Sequence, residues 1–191
     1  MTYSEIYSKL DEEVQILRTY IEAGQWKQGK SEFFETPIKR PLPAKSTTAG
    51  GVFGNQLKGK PKSGVYFFSC IQATRVLSVA DFNKGKGFAK MRMTDSGSVA
   101  VKEGEMLYIG QCGVFSSRMS AHLDGKSSSK TGGLHLYSRE RRGINPNRFA
   151  LTFVPLKDSF YPLNCADHDR QILREAIELK LKAVYLPLVG K

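Results

Sequence analysis

Ile6, Leu10, Val14, Leu17 and Ile21 recur at steps of four and three residues, which predicts an amphipathic helix over residues 2–22. Thr2 with Glu5 three positions later forms a capping-box signature at its start, and Gly24 supplies a stop. From there to about Ser63 the periodicity dissolves. The stretch "PIKRPLPAKSTTAGGVFGNQLKGKPKSG" is rich in proline and glycine, and it reads as a long ordered loop or a flexible basic arm able to order on a ligand.

"GVYFFSCIQ", starting at Gly64, is aromatic and bounded by glycine, which predicts a strand. The following stretch to Ser98 contains "FNKGKGFAKMRM" and is compatible with a hairpin with a basic tip. A second strand is expected around "MLYIG" (Met106 to Gly110) and a third over "RFALTFVPL" (Arg148 to Leu156). Between them, Gly113 to Leu123 reads as a short helix, and "LHLYSRERR" from Leu134 as a further helical piece. A final helix capped by Asp167 or Asp169 runs to about Tyr185, with a broad apolar stripe of Ile172, Leu173, Ala176, Ile177, Leu181 and Val184. There is no internal repeat. The order predicts an α+β fold of mixed layers: a small antiparallel three-stranded central sheet flanked by helices, with an N-terminal helix and basic arm. The division expected is 1–62 for helix and arm and 63–191 for the core.

Length and composition narrow the class. A chain of 191 residues, 40% hydrophobic and 25% charged, suffices for one domain with a proper core. No apolar run approaches the ~20 residues that cross a bilayer, and the N-terminus lacks a signal-peptide pattern. A cytoplasmic protein without membrane association is expected, nucleoid-associated if bacterial. Cys70, Cys112 and Cys165 show no paired spacing, consistent with a reducing compartment. Cys112, His122, His135 and Cys165 lack the short chelating spacing of a structural zinc site.

Charge changes the picture most. The chain carries a net +11, yet residues 1–22 are net acidic, and the excess sits in residues 23–63 and 112–148. Segregated positive charge on Gly- and Ser-rich segments suits a polyanion, because each neutralised phosphate releases counterions. No basic amphipathic helix with bulky apolar anchors accompanies it, so a nucleic acid is a better match than a membrane surface. Lys58, Lys60, Lys62, Lys130, Arg139, Arg141 and Arg142 are the candidate DNA contacts; an exposed basic helix is the plainer account of the arginine cluster.

Side chains alternate along a strand, so Tyr66 and Tyr108 can project from the same side if their strands pair, with Leu107 and Ile109 on the other. Gly64 and Gly110 would leave the adjoining backbone open to a ligand. Arg118 and His122, four apart on one helix, share a face. The arginine could grip a phosphate through two hydrogen bonds, and the histidine could exchange a proton near neutral pH. Packing against Leu123 explains the histidine equally well. Arg174, Glu175, Glu178 and Lys182 line the polar face of the last helix. A carboxylate there could hold a divalent cation, or Arg174, Glu178 and Lys182 could simply form i,i+4 ion pairs.

"GVY" at 64–66 and "YIG" at 108–110 resemble the two signature strands of the GIY-YIG nuclease family. The likeness extends to Arg118, ten residues after the second tyrosine, to His122, and to Glu178, nine residues before Pro187, and covers residues 64–187. Two features depart from the family pattern: the wide separation of the tyrosines, which implies an insertion at about 71–104 contacting DNA, and Leu188 where an asparagine usually follows the proline. The resemblance implies an endonuclease with one Mg²⁺ or Mn²⁺ ion on Glu178, Tyr66 as general base, Tyr108 orienting the water or phosphate, Arg118 neutralising phosphate charge and His122 assisting the base. The compact chain and its embellishments fit a sequence-specific, restriction-like enzyme acting as a possible homodimer. The alternatives are a structure-specific or nicking nuclease, and a non-catalytic nucleic-acid-binding protein on a degenerate core.

Overall fold

A computed structural model describes residues 1–27, 29–44, 52–53, 62–72, 76–78, 98–123, 133–137 and 148–189. Helix α1 (Tyr3–Ala23) starts at the expected capping box, with Thr2 and Glu5 satisfying each other's amides, and ends at Gly24 in the left-handed conformation (φ 69°). Strand β1 (Ile38–Pro41) is followed by β2 (Gly64–Cys70), β3 (Val76–Ser78), β4 (Ser98–Ala100) and β5 (Met106–Cys112). Helix α2 (Phe115–Leu123), strand β6 (Phe149–Pro155), a short 3₁₀ turn (Asp158–Phe160) and helix α3 (Asp167–Tyr185) complete the order.

The mixed α+β class is as expected, but the sheet has four strands rather than three, in the antiparallel order β1-β6-β2-β5. The extra strand comes from the segment read as an aperiodic arm. A buried carboxylate explains why that segment folds: Glu13 of α1 accepts hydrogen bonds from the Ser31 hydroxyl (2.5 Å) and from the amides of Glu32 (2.6 Å) and Phe33 (3.3 Å). Phe33 and Phe34 are thereby driven into the core, Phe34 bridges to Leu156, and β1 follows onto the edge of β6. Four residues are too few to show a period in the sequence, and two prolines flank the segment's ends.

The sheet separates two hydrophobic cores. On one face Tyr66, Phe68, Tyr108, Cys112 and Phe153 pack with Phe115, Met119 and Leu123 of α2. On the other, Val65, Phe67, Ile109 and Val154 pack with Ile6, Leu10, Val14 and Leu17 of α1 and with Leu173, Ile177 and Leu181 of α3. The expected alternation holds along β2. In β5 it breaks at a register shift between Phe68 and Ser69, so Leu107 packs with Tyr108 and not with Ile109.

Three other expectations change. The apolar stripe of α3 is narrower than predicted, since Ile172 and Val184 are exposed, while Arg174 of its polar face is buried. Ala166, not an aspartate, occupies the cap position of α3, and no side chain caps it. Residues 134–137 are not helical: His135 has a positive φ, and the Leu136 and Tyr137 amides bond the carbonyls of His122 and Leu123. Strands β3 and β4 pair antiparallel as hairpin legs, as expected; the basic tip between them lies outside the described residues. Among the described residues no helix is long and apolar enough to cross a membrane.

Candidate active site

Strand register sets the site. Tyr66 sits opposite Gly110, and Phe68 opposite Tyr108, so both tyrosines share the face covered by α2. Their rings lie 6.1 Å apart, inclined by 22°. A Cβ at Gly110 would lie 2.4 Å from the Tyr66 hydroxyl, and one at Gly64 would lie 2.3 Å from the Val154 carbonyl oxygen. These glycines therefore do not open the backbone to a ligand. Gly110 makes room for the Tyr66 ring, and Gly64 lets β2 pass close over β6.

Helix α2 delivers Arg118 and His122 to the two phenols. Arg118 donates from Nε to the Tyr66 hydroxyl (2.9 Å) and from Nη2 to the Tyr108 hydroxyl (3.2 Å). The Tyr66 hydroxyl is 2.8 Å from His122 Nε2. His122 Nδ1 accepts from the Leu134 amide (3.1 Å), which assigns the ring proton to Nε2 and makes the histidine a donor to Tyr66. Two N–H groups thus converge on one phenol oxygen, the arrangement that favours negative charge there.

Burial opposes them. Tyr66 has no exposed surface, and desolvation, with the neighbouring Tyr108 hydroxyl, raises its pKa well above the usual phenol value, while Arg118 pulls in the opposite direction. Arg118 alone therefore does not bring this phenol towards ionisation. His122 differs from expectation too: burial, followed by Arg118 and His135, pushes its pKa well below the ordinary imidazole value. It stays neutral near pH 7 as a fixed donor instead of exchanging a proton there.

Glu178 lies on α3, which packs on the other side of the sheet. The apolar row of α3 packs on the Val65 and Ile109 face, while its next face rises along the outer edge of β5. Glu178 Oε1 is 2.5 Å from the Lys182 ammonium, and that ammonium stands 5.9 Å from the centre of the Tyr108 ring. The ion pair foreseen as a plain alternative is thus formed, and it also lies at the edge of the tyrosine pair. Glu175 instead accepts from the Gln171 side chain (2.7 Å). Beyond α3, Leu188 and Val189 run beside β5, with Val189 bridging to Tyr108, so an apolar residue supports the tyrosine near the position where an asparagine was looked for.

Among the described residues no three His, Cys, Asp or Glu side chains gather to hold a metal. Cys112 is no ligand candidate, because burial pushes its thiol up to about 12. Of the candidate DNA contacts, Lys62 is ion-paired with Glu35 (2.5 Å). Lys58, Lys60, Lys130, Arg139, Arg141 and Arg142 lie outside the described residues.

One buried cation escaped sequence reasoning. Arg174 is 9% exposed and donates to the Gln111 side chain (2.9 Å) and to the Tyr161 hydroxyl (3.2 Å). Its position in a row of charged residues gave no sign that it is buried. No protein family, curated protein or solved structure matches the chain, so the geometry of the site has to bear the functional argument.

Proposed function

We propose that the chain is a metal-dependent endonuclease hydrolysing phosphodiester bonds of double-stranded DNA. The observation behind this reading is the convergence of two tyrosine hydroxyls on the Arg118 guanidinium, with the ammonium partner of Glu178 near the Tyr108 ring.

Glu178 is the residue that would hold the Mg²⁺ or Mn²⁺ ion. It already accommodates one cation, the Lys182 ammonium. A lone carboxylate suits an ion that keeps most of its coordination for water and phosphate oxygen. When bound, the ion would supply Lewis-acid stabilisation of the phosphate.

The protein's own groups then have distinct tasks. Arg118 leaves the phenols to donate to the non-bridging oxygens of the scissile phosphate, neutralising charge that builds up there. Its departure uncovers the Tyr66 hydroxyl, which takes the proton of the attacking water in its phenolate form. His122 keeps its Nε2–H on the Tyr66 oxygen throughout and stabilises that phenolate. Tyr108 orients the water or the phosphate. Sequence specificity of the restriction type would come from the basic segments 23–62, 71–104 and 125–148 reading base edges. Cutting both strands with one site per chain would call for a homodimer or two successive cuts. A DNA substrate places the protein in the cytoplasm, on the nucleoid if bacterial.

Two observations favour a second reading, a non-catalytic nucleic-acid-binding protein: Tyr66 is wholly buried, and Lys182 stands on Glu178. Incubation of plasmid with Mg²⁺ separates the two. The nuclease reading expects cleavage that falls by about 10²–10⁴ in Tyr66→Phe and comparably in Glu178→Ala. Cleavage at the unmutated rate by either variant removes that residue's role. Salt-sensitive binding without cleavage under any divalent metal establishes the second reading.

A further inference from the structure

A cleft of about 530 Å³ opens where β5 leaves the sheet for α2, bounded by the start of β2, the 3₁₀ turn and the first turns of α3. Arg174 is at its floor. A guanidinium nine-tenths buried is costly unless paired, yet its hydrogen-bond partners are a neutral amide and a neutral phenol, and no carboxylate is bonded to it among the described residues. Its Nη2 makes no hydrogen bond there and stands over Gly113, where an added Cβ would approach to 3.4 Å. Glycine at 113 leaves that nitrogen open to the cleft.

The neighbouring groups are also arranged to donate. The Tyr161 oxygen already accepts from Arg174 Nη1, and it lies 2.9 Å from the Ser63 hydroxyl. With the Tyr161 proton on Ser63 Oγ, the Ser63 proton is left for a ligand. Arg170, stacked 4.9 Å over the Tyr161 ring and bonded to the Cys165 carbonyl, brings a second guanidinium to the wall. Lys62 is neutralised by Glu35. Asp158 and Asp167 are exposed at the mouth and oppose an anion there. The floor is therefore positive and the rim negative.

We propose that this cleft binds a single phosphate group, with Arg174 Nη2 and the Ser63 hydroxyl as its donors and Arg170 as the second charge. A cation on the floor with several donors around it matches a group presenting several acceptor oxygens. The rim aspartates limit the site to one such group and set its affinity below what the arginines alone would give. Arg174 bonds Gln111 of β5, the strand that also carries Tyr108, so a phosphate held here lies along the same strand as the tyrosine site. Assigning the phosphate to a nucleic-acid backbone rests on the proposed DNA substrate; the anion site itself does not.

The test follows fluorescence anisotropy of a labelled duplex in EDTA between about 50 and 200 mM KCl, using the intact chain, Arg174→Gln, Ser63→Ala and Asp158→Asn. Loss of one phosphate contact in Arg174→Gln lowers the slope of log affinity against log salt by about 0.9 and weakens binding roughly tenfold. Ser63→Ala weakens it less, and Asp158→Asn tightens it about twofold by removing a like charge. Asp158→Asn keeps the test sharp should the buried arginine variant fail to fold. A parallel arm measures the melting temperature with inorganic phosphate against chloride at equal ionic strength. A reduced slope in the duplex arm identifies a backbone phosphate. Unchanged duplex binding with loss of phosphate stabilisation in Arg174→Gln and gain in Asp158→Asn identifies a free phosphate. Variants that match the intact chain in both arms overturn the proposal. Tyr66→Phe, expected to lose cleavage with its salt slope intact, keeps failure of the nuclease reading distinguishable from failure of this one.

Discussion

His122 Nε2 lies 2.8 Å from the Tyr66 hydroxyl, and the Leu134 amide on Nδ1 makes Nε2 the protonated nitrogen. A second proton on this ring would displace the Leu134 hydrogen bond and place a cation beside Arg118 in a fully buried position. The folded state therefore holds His122 neutral well below the ordinary imidazole pKa, while the unfolded chain binds a proton from about pH 6.5 downwards. The unfolded state then carries more protons, so stability falls as pH drops below about 6.5, by up to about 1.4 kcal/mol per pH unit, and is unaffected by this group above it. Denaturant titrations from neutral pH to about pH 5 should show this limb, and His122→Gln should flatten it. An equal slope in the variant would assign the limb to other groups.

The raised pKa of Tyr66 works in the opposite pH range. With the phenol protonated at neutral pH, only a small fraction of the protein holds the phenolate that the nuclease reading requires, and that fraction grows as pH rises. Single-turnover cleavage should therefore accelerate from about pH 7 to 9, the logarithm of the rate climbing with a slope approaching one. A flat profile over this range would exclude the Tyr66 phenolate as the base.

Gly110 is a packing requirement of that phenol. The Cβ of Gly110→Ala would fall 2.4 Å from the Tyr66 hydroxyl and 2.7 Å from a Tyr108 ring carbon, with β2 fixed between two strands. One ring must shift, at a cost of about 1–3 kcal/mol in stability. The displacement also breaks the bond from Arg118 Nε, so cleavage should fall more than stability alone explains. Thermal melts beside cleavage rates check both. A variant as stable and active as the parent would mean that the pair of strands slides freely.

What the sequence revealed of this architecture follows from where periodicity survives. The helix over Ile6 to Ile21 and the strands around Tyr66, Tyr108 and Phe149 each bury an unbroken row of side chains, so their patterns were readable. Strand β1 was not, because its order comes from Glu13, a charged residue of α1 that binds backbone amides nearly twenty positions downstream. Of the site, Tyr66, Tyr108, Arg118 and His122 were legible from spacing, and the structure brings them together. Their protonation behaviour was not, since it depends on burial that spacing does not encode. Arg174 was hidden for a similar reason: its burial depends on where β5 places Gln111, which the helix's own sequence does not encode.

Lys182 occupies the Glu178 carboxylate on which the proposed metal would depend. Its ammonium and the Glu178 carboxylate are 2.5 Å apart, with side chains only 12% and 16% exposed, so water screens the pair weakly. A divalent ion approaching Glu178 must displace or repel this cation, which lowers its affinity. Lys182→Met keeps an apolar stem of similar length and removes the charge that stands near the Tyr108 ring. Mn²⁺ binding followed by calorimetry should tighten about tenfold, equivalent to ~1.4 kcal/mol, and should disappear in Glu178→Gln. Binding that is no tighter without the lysine would mean that the ion does not use this carboxylate. In that case Glu178 and Lys182 are a structural pair, and metal-dependent cleavage would have to be sought elsewhere on the chain.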